Sequence, residues 1–416
     1  MMMQGEQKMQ DDTGSALMSL NGLKYTLPQA LSVVTTRTTQ AYPSLNGTHT
    51  SNDTIYFRAE TGARYVDARN SYVRVRLTAS SACNFGSGSI MNLIRSVVVR
   101  SAAGTEIDRV QDFNVLKRAQ KPYECPSEWF RKQGQMSGWK SSDVDLSDPE
   151  YWFIPLADLS GLFNTGKLIP AQLMSGLQIE LELESPRIAL FGADATPVTY
   201  VLDQCELYVD TFQLSDSIAR KLSSISASGG LELSFVGTNY AFASSNGAAQ
   251  TRFSVNSNSA VSRALSLIAV SIPASSQVQE EDSFNAEQAT VLDSYQIRVG
   301  SLYFPQQPVS TPRDAYQTIM HTFDKLSSCH ALTDVSWAEF EGEATPIVGD
   351  SNHFLLGATL ERSSVLSLSG IPVNQSRACV LDVSYNVATS VARQLHLFLS
   401  FQKVCTVFLA SQIVKE

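Results

Sequence analysis

Residues 161–168 (GLFNTGKL) have the glycine spacing of a phosphate-binding loop, with Lys167 where the phosphate lysine would stand. The next position should be Ser or Thr to hold magnesium, and it is Leu168. Such a loop should also open a helix, whereas Pro170 and an alternating run from Leu177 follow, so the segment reads as a connection between strands. Gly86 and Gly88 lack the third glycine of a dinucleotide fingerprint and read as a turn. Asp143, Asp145 and Asp148 alternate like the first ligands of a calcium loop, but the glycine at the sixth position and the glutamate at the twelfth are missing. Glu339, Glu341 and Glu343 could hold a cation between subunits; as a catalytic pair they have no supporting His, Arg or aromatic motif. Histidines at 49, 321, 330, 353 and 396 form no HxH or HExxH pattern, and no GxSxG occurs. His321 and His330 flank the end of a candidate helix, where a cation suits the terminal carbonyls. His396 alternates outward on a strand and is expected at a surface or interface. The expectation is a protein without catalytic, cofactor or metal residues, and therefore not an enzyme.

The remaining composition agrees. Cysteines at 83, 125, 205, 329, 379 and 405 are never closer than 26 residues, so no CxxC exists and reduced thiols are expected. Cys205, Cys379 and Cys405 sit in apolar patterns as small core residues. A net charge of −9 argues against a dedicated nucleic-acid binder. Against that balance, Met91–Lys140 carries nine Lys or Arg and five Asp or Glu. Residues 1–23 show no basic stretch followed by an apolar run, so no secretory leader is expected there, and no run approaches the length of a membrane helix.

The elements that would position these residues are mainly strands. Val73, Val75 and Leu77 alternate with Arg74, Arg76 and Thr78; Leu177, Ile179, Leu181 and Leu183 alternate with polar neighbours. Leu231, Leu233 and Phe235 do the same, as do Leu395, Leu397, Leu399 and Phe401. One wet and one dry face per strand implies antiparallel sheets packed as sandwiches. Two helices stand out. One is capped by Thr311, starts at Pro312, and puts Tyr316, Ile319, Met320 and Phe323 on one face; a shorter one starts at Asp112 with Phe113 and Leu116 inward.

These helices expose a repeat. Ile94 and Ile297, Phe113 and Tyr316, and Tyr151 and Phe354 are each separated by 203 residues (297−94, 316−113, 354−151). A duplicated β-rich unit is the simplest account. The expected division is an N-terminal arm at 1–39, a first sandwich at 40–215, a linker at 216–229 rich in small polar residues, and a second sandwich at 230–416. The apolar segment Leu395–Val414 could be one bent strand or two.

Two tandem sandwiches, a short helix after the same strand of each, and no catalytic motif together resemble the double jelly-roll major capsid proteins of double-stranded DNA viruses. Residues 295–308 (YQIRVGSLYFPQQP), followed by Ala315 and Tyr316 on the helix, look most like the polinton-like virus and virophage branch. Leu173–Gly176, leading into the strand from Leu177, is similar to that family's approach to a late sandwich strand. The resemblance covers roughly residues 40–410. It implies an all-β fold of two tandem antiparallel jelly-roll sandwiches with a few short helices. It also implies homotrimeric, pseudo-hexameric capsomers of an icosahedral virion assembled in the host cytoplasm or nucleus. The implied partners are further copies of itself, neighbouring capsomers, minor capsid and penton proteins, and viral DNA or membrane on the inner face. Under this reading Lys117, Arg118 and Lys121 would point toward genome phosphates or acidic lipid heads. Tyr123, Trp129, Phe130 and Trp139 in the connection 122–150 would pack against a neighbouring sandwich, with Trp129 as an interface anchor. Alternatives are a tandem β-sandwich lectin or adhesin, for which an aromatic sugar platform is missing, and a minor capsid or spike protein, which usually carries one jelly roll.

Overall fold

A computed structural model describes residues 34–140, 145–191, 198–244, 251–257, 259–273, 286, 288–326, 332–342, 352–362, 370–386, 393–408 and 412–415. The first half runs β1 (Val34–Pro43), β2 (Thr48–Thr50), β3 (Thr54–Ala59), β4 (Tyr65–Ala79), β5 (Ile94–Arg100), β6 (Glu106–Val110), β7 (Glu150–Pro155), β8 (Leu177–Leu183) and β9 (Tyr200–Leu214). The second runs β10 (Leu231–Ser244), β11 (Arg252–Asn256), β12 (Val261–Pro273), β13 (Leu292–Val299), β14 (Leu302–Val309), β15 (Leu356–Thr359), β16 (Ile371–Val373), β17 (Cys379–Tyr385), β18 (Arg393–Val407) and β19 (Gln412–Lys415). Three helices matter below: α1 (Phe113–Glu124), α2 (Asp216–Ser228) and α3 (Pro312–Thr322).

Alternation produces the sheets. In β8 the apolar residues Leu177, Ile179, Leu181 and Leu183 are buried, with half-buried polar residues between them. In β4, Val73, Val75 and Leu77 face the core, while Arg74 and Arg76 point away and reach across to Glu206 (2.6 Å) and Asp203 (2.5 Å) on β9. The strands of the first half form two sheets, ordered β1-β9-β4-β7 and β3-β8-β5-β6, with apolar faces that meet in one buried cluster. Those of the second form β10-β18-β12-β15 and β11-β17-β13-β14. With β2, β16 and β19 set aside as side pairings, the order is the same in both halves, with β1 matching β10, β3 matching β11, and so on to β9 matching β18. All the strand pairings described are antiparallel, and this is the jelly-roll arrangement twice over.

The register shows the repeat more finely than chain order does. Ile94 pairs with Leu183 and Ser96 with Glu182, so β5 has a bulge there; Leu292 pairs with Tyr385 and Ser294 with Ser384, so β13 has the same bulge. A 3-10 turn precedes each strand, over Ile90–Leu93 and Ala289–Val291. Matching these features gives an offset of 198 residues (292−94) rather than 203. Ile94 and Ile297 thus share corresponding strands without sharing a position. Phe113 and Tyr316 lie on corresponding helices, Phe113 fully buried and Tyr316 half-buried. Tyr151 is on β7 and 40% exposed, whereas Phe354 precedes β15 and is 1% exposed.

Several boundaries differ from the sequence reading. β1 begins at Val34, inside the stretch read as an arm, because Val34–Pro43 pairs along β9; residues 1–33 lie outside the described residues. The segment read as a small-residue linker contains α2, where Ser226 is buried and donates to the carbonyl of Val407. Leu395–Val414 resolves into two strands, with β19 folded back on β18.

Candidate assembly surface

β6 is the edge strand of its sheet and β10 the edge of its own, and the two halves meet there. On β6, Asp108 is 1% exposed and its partner is Lys403 of β18, 3.4 Å away and 6% exposed. Ser160 donates to Asp108 at 2.5 Å. Burial pushes the Asp108 carboxyl above its ordinary value, and Lys403 and Ser160 hold that rise back. Beside this pair, residues Gly161–Asn164 form a 3-10 turn against β10. A Cβ on Gly161 would stand 1.9 Å from the Val236 carbonyl oxygen, so any side chain there would force the halves apart. Lys167 donates to the Glu232 carbonyl at 3.5 Å. The GxxxxGK stretch is therefore part of the junction and closes no phosphate nest. Its first glycine is needed for backbone contact with the other half.

The connection after β6 continues the junction. Tyr123 is fully buried, stacks on Phe323 at 5.2 Å and donates to the His353 carbonyl. Lys325 reaches the Glu124 carbonyl (2.8 Å) and Lys140 reaches Asp334 (2.8 Å). At the far end of β10, the Tyr240 hydroxyl bonds Nδ1 of His396 at 3.0 Å. His396 is 8% exposed, which corrects the expectation of an outward residue: on the face opposite Leu395 and Leu397 the rings of Tyr240 and Phe242 pack against it. Burial pushes its imidazole down to about 4, against a smaller upward influence of Asp112.

The basic residues singled out in the sequence are used internally. Lys121 is buried and pairs with Asp158 at 2.7 Å, with its ammonium 4.7 Å from the Trp129 ring centroid. Burial alone would lower it, and Asp158 holds it above its ordinary value. Arg118 is 5% exposed and donates to Ser87, while Lys117 lies over the Phe113 ring. Arg118 and Lys121 therefore face no genome or lipid in this chain. Phe130 and Trp139, each 1% exposed, pack edge to face within their own chain, whereas Trp129, edge to face with Phe130, is only half-buried. Asp145 accepts from the Ser147 backbone, and Glu339 closes a capping box with Ser336. Asp143, Glu343, His330 and Cys329 lie outside the described residues, and among the described ones no acidic, His or Cys cluster could hold a metal. Sequence reasoning missed Asp108, Lys403 and the close approach at Gly161. Lys403 did leave a signal, since it occupies an inward position between Phe401 and Cys405.

The edges that correspond to β6 and β10 are β14 and β1. Residues Val34–Thr39 of β1 are exposed on both faces of the strand. On β14, Leu302 and Tyr303 are 46% and 49% exposed. Both strands leave one side without a partner strand among the described residues.

No protein-family model and no curated protein matches the sequence. Similar solved structures include PBCV-1 VP54 fitted into a reconstruction of the virophage Sputnik (TM-score 0.66, 10% identity, 95% of this chain and 100% of that one). The Faustovirus major capsid protein (0.64, 10%, 92% of each chain) and the mavirus major capsid protein (0.57, 10%, 94% of this chain and 92% of that one) are also similar. Such coverage spans both sandwiches and the junction between them, so the likeness extends to the tandem arrangement. The chain has the double jelly-roll fold that these viral major capsid proteins share.

Proposed function

We propose that this chain is the major capsid protein of a double-stranded DNA virus and assembles as homotrimers with a pseudo-hexagonal outline. The observation that carries the reading is the pair of sandwiches with one strand order, joined edge to edge. Three such chains supply six similar sandwiches, and a tile with six similar sides packs against six neighbours while drawing on one gene. The likeness to capsid proteins over almost the whole chain supports the same reading. In this proposal the sandwiches correspond to Val34–Leu214 and Leu231 onward, with α2 as their connection.

Partners are other copies of the chain, minor capsid and penton proteins, and viral DNA or membrane beneath the shell, in a virion assembled in the host cytoplasm or nucleus. Contact with DNA or lipid would have to use groups other than Arg118 and Lys121. Obligate interfaces of this kind bury on the order of 2,000–5,000 Å². Native mass measurement together with negative-stain imaging tests the proposal. The expected result is a stable species of three times 45.4 kDa with a six-sided outline. A monomer that binds glycans would overturn it in favour of a lectin.

A further inference from the structure

The helix that joins the two sandwiches packs by a small residue and leaves its large apolar ones outside. In α2, Ser226 is fully buried and donates to the Val407 carbonyl at 3.2 Å. Ile218, Leu222 and Ile225 follow one another at steps of four and three, so they line one side of the helix. Ile225, one residue before Ser226, is turned about 100° away from the buried side. It is 49% exposed, and Ile218 and Leu222 are half-buried. Burying branched apolar side chains is stabilising, so a helix that packed only on its own sandwiches would turn these three inward. The Ser226 contact holds it the other way, and the apolar stripe is left for a cover from elsewhere.

The start of β1 points to that cover. Val34, its first residue, pairs with Leu214 at the end of β9, and α2 begins two residues later at Asp216. β1 and β9 are antiparallel neighbours, so the chain before Val34 enters at the end of the sheet where α2 leaves, about one strand spacing of 4.8 Å away. Residues 16–33 (ALMSLNGLKYTLPQALSV) carry one charge, Lys24, and Leu23, Leu27 and Leu31 recur every four residues. We infer that Leu23–Leu31 of the same chain lies along Ile218, Leu222 and Ile225 and covers them. Nine residues, when extended, reach about 30 Å, whereas the thirteen residues of α2 span about 20 Å, so the segment is long enough to cross the whole stripe. Because it begins beside the helix, its effective concentration there is about millimolar, which favours it over a separate partner. The contact joins two parts of one chain and does not depend on trimer formation.

Hydrogen exchange of the α2 amides tests the inference on three proteins: the full chain, a chain lacking residues 1–31, and a full-length variant with Leu23→Ser, Leu27→Ser and Leu31→Ser. All three keep β1, which begins at Val34. The expected result is exchange of the α2 amides about tenfold slower in the full chain than in either altered one, with β4 and β9 unchanged. Adding a peptide of residues 16–33 to the shortened chain should slow the α2 amides again. Equal exchange in all three proteins overturns the inference. So does protection of α2 that appears only when phosphatidylglycerol vesicles are added, which would give the stripe to a lipid surface. A second measurement leaves the chain nearly unaltered. Ile225→Cys combined with Leu27→Cys is treated with a short bis-maleimide in an equal mixture of nitrogen-15-labelled and unlabelled protein. Crosslinked peptides that carry a single label throughout support docking within one chain. Mixed-label peptides would assign the cover to a neighbouring copy, and absence of the crosslink would remove the contact altogether; either result overturns the inference.

Discussion

Replacing Lys403 by Met removes the cation facing Asp108 and leaves a methylene chain of similar length in its place. At 3.4 Å, with an effective dielectric of about 20, the attraction lost is about 5 kcal/mol. Both groups are almost fully buried, so solvent screening does not reduce this much, and removing one member of a buried pair costs about 3–5 kcal/mol. If each sandwich melts as a unit of ordinary domain size, the melting temperature falls by roughly 6–20 °C. The loss depends on pH. A carboxyl whose folded value is raised contributes its stability while protonated and loses it as pH rises through that value. Burial already raises Asp108, and without Lys403 it rises further. The Lys403→Met defect relative to wild type is therefore largest near pH 7 and shrinks toward about pH 4, where the carboxyl is protonated in the unfolded chain as well. Adding Asp108→Asn should recover most of the loss at pH 7, because the amide needs no countercharge. Calorimetry of the three proteins at both pH values is the assay. A single variant that melts within about 2 °C of wild type at pH 7, or a double variant no better than the single one, would refute the pair as the anchor of the junction.

Gly161→Ala should lower stability by about 1–3 kcal/mol, because the Val236 carbonyl occupies the space of the new methyl group; an unchanged urea midpoint would contradict that close approach. His396, pushed down to about 4 by burial, contributes stability that is complete above its ordinary value near 6.5 and is lost as pH falls toward 4. His396→Gln should flatten that part of the acid titration of stability, and a variant as acid-sensitive as wild type would show that other groups dominate. The Cys205 and Cys379 thiols are buried and pushed up to about 12, so neither should react with a thiol reagent at pH 8 until the chain unfolds. Rapid modification of either in the folded protein would show that its strand opens.

Much of the fold was legible because alternation is a local signal with one physical cause. Leu177–Leu183 reads as a half-buried strand and is one. Thr311, Pro312 and Asp314 read as a helix start, and Thr311 does accept from the Asp314 amide at 3.1 Å. What failed was every inference that needed to know what lay beyond the strand. Alternation placed His396 on the face opposite Leu395 and Leu397, which is correct, but whether that face meets water depends on its neighbours. The basic surplus in Met91–Lys140 was equally visible and equally uninformative about placement, since Arg118 and Lys121 are satisfied by Ser87 and Asp158 from distant segments. Gly161 illustrates the reverse case. Its spacing to Gly166 and Lys167 suggests a phosphate loop, while the reason for glycine is contact with a strand 75 residues later (236−161).

The repeat shows how far element order can be trusted when identity is low. Strand sequence is constrained by alternation and core volume, so two copies can drift until few residues match while each strand keeps its place. Helix starts and bulges drift less, because a cap or an extra residue cannot slide along the chain without breaking a ladder. An offset of 203 came from similar residue types, and the bulges of β5 and β13 place it at 198. The third matched pair does not share an element at all, since Tyr151 lies open on β7 and Phe354 lies buried ahead of β15. Loop lengths, free to vary on the surface, supplied the error. The sheets, where a one-residue slip would expose a core face, retained the correct value in their hydrogen bonds.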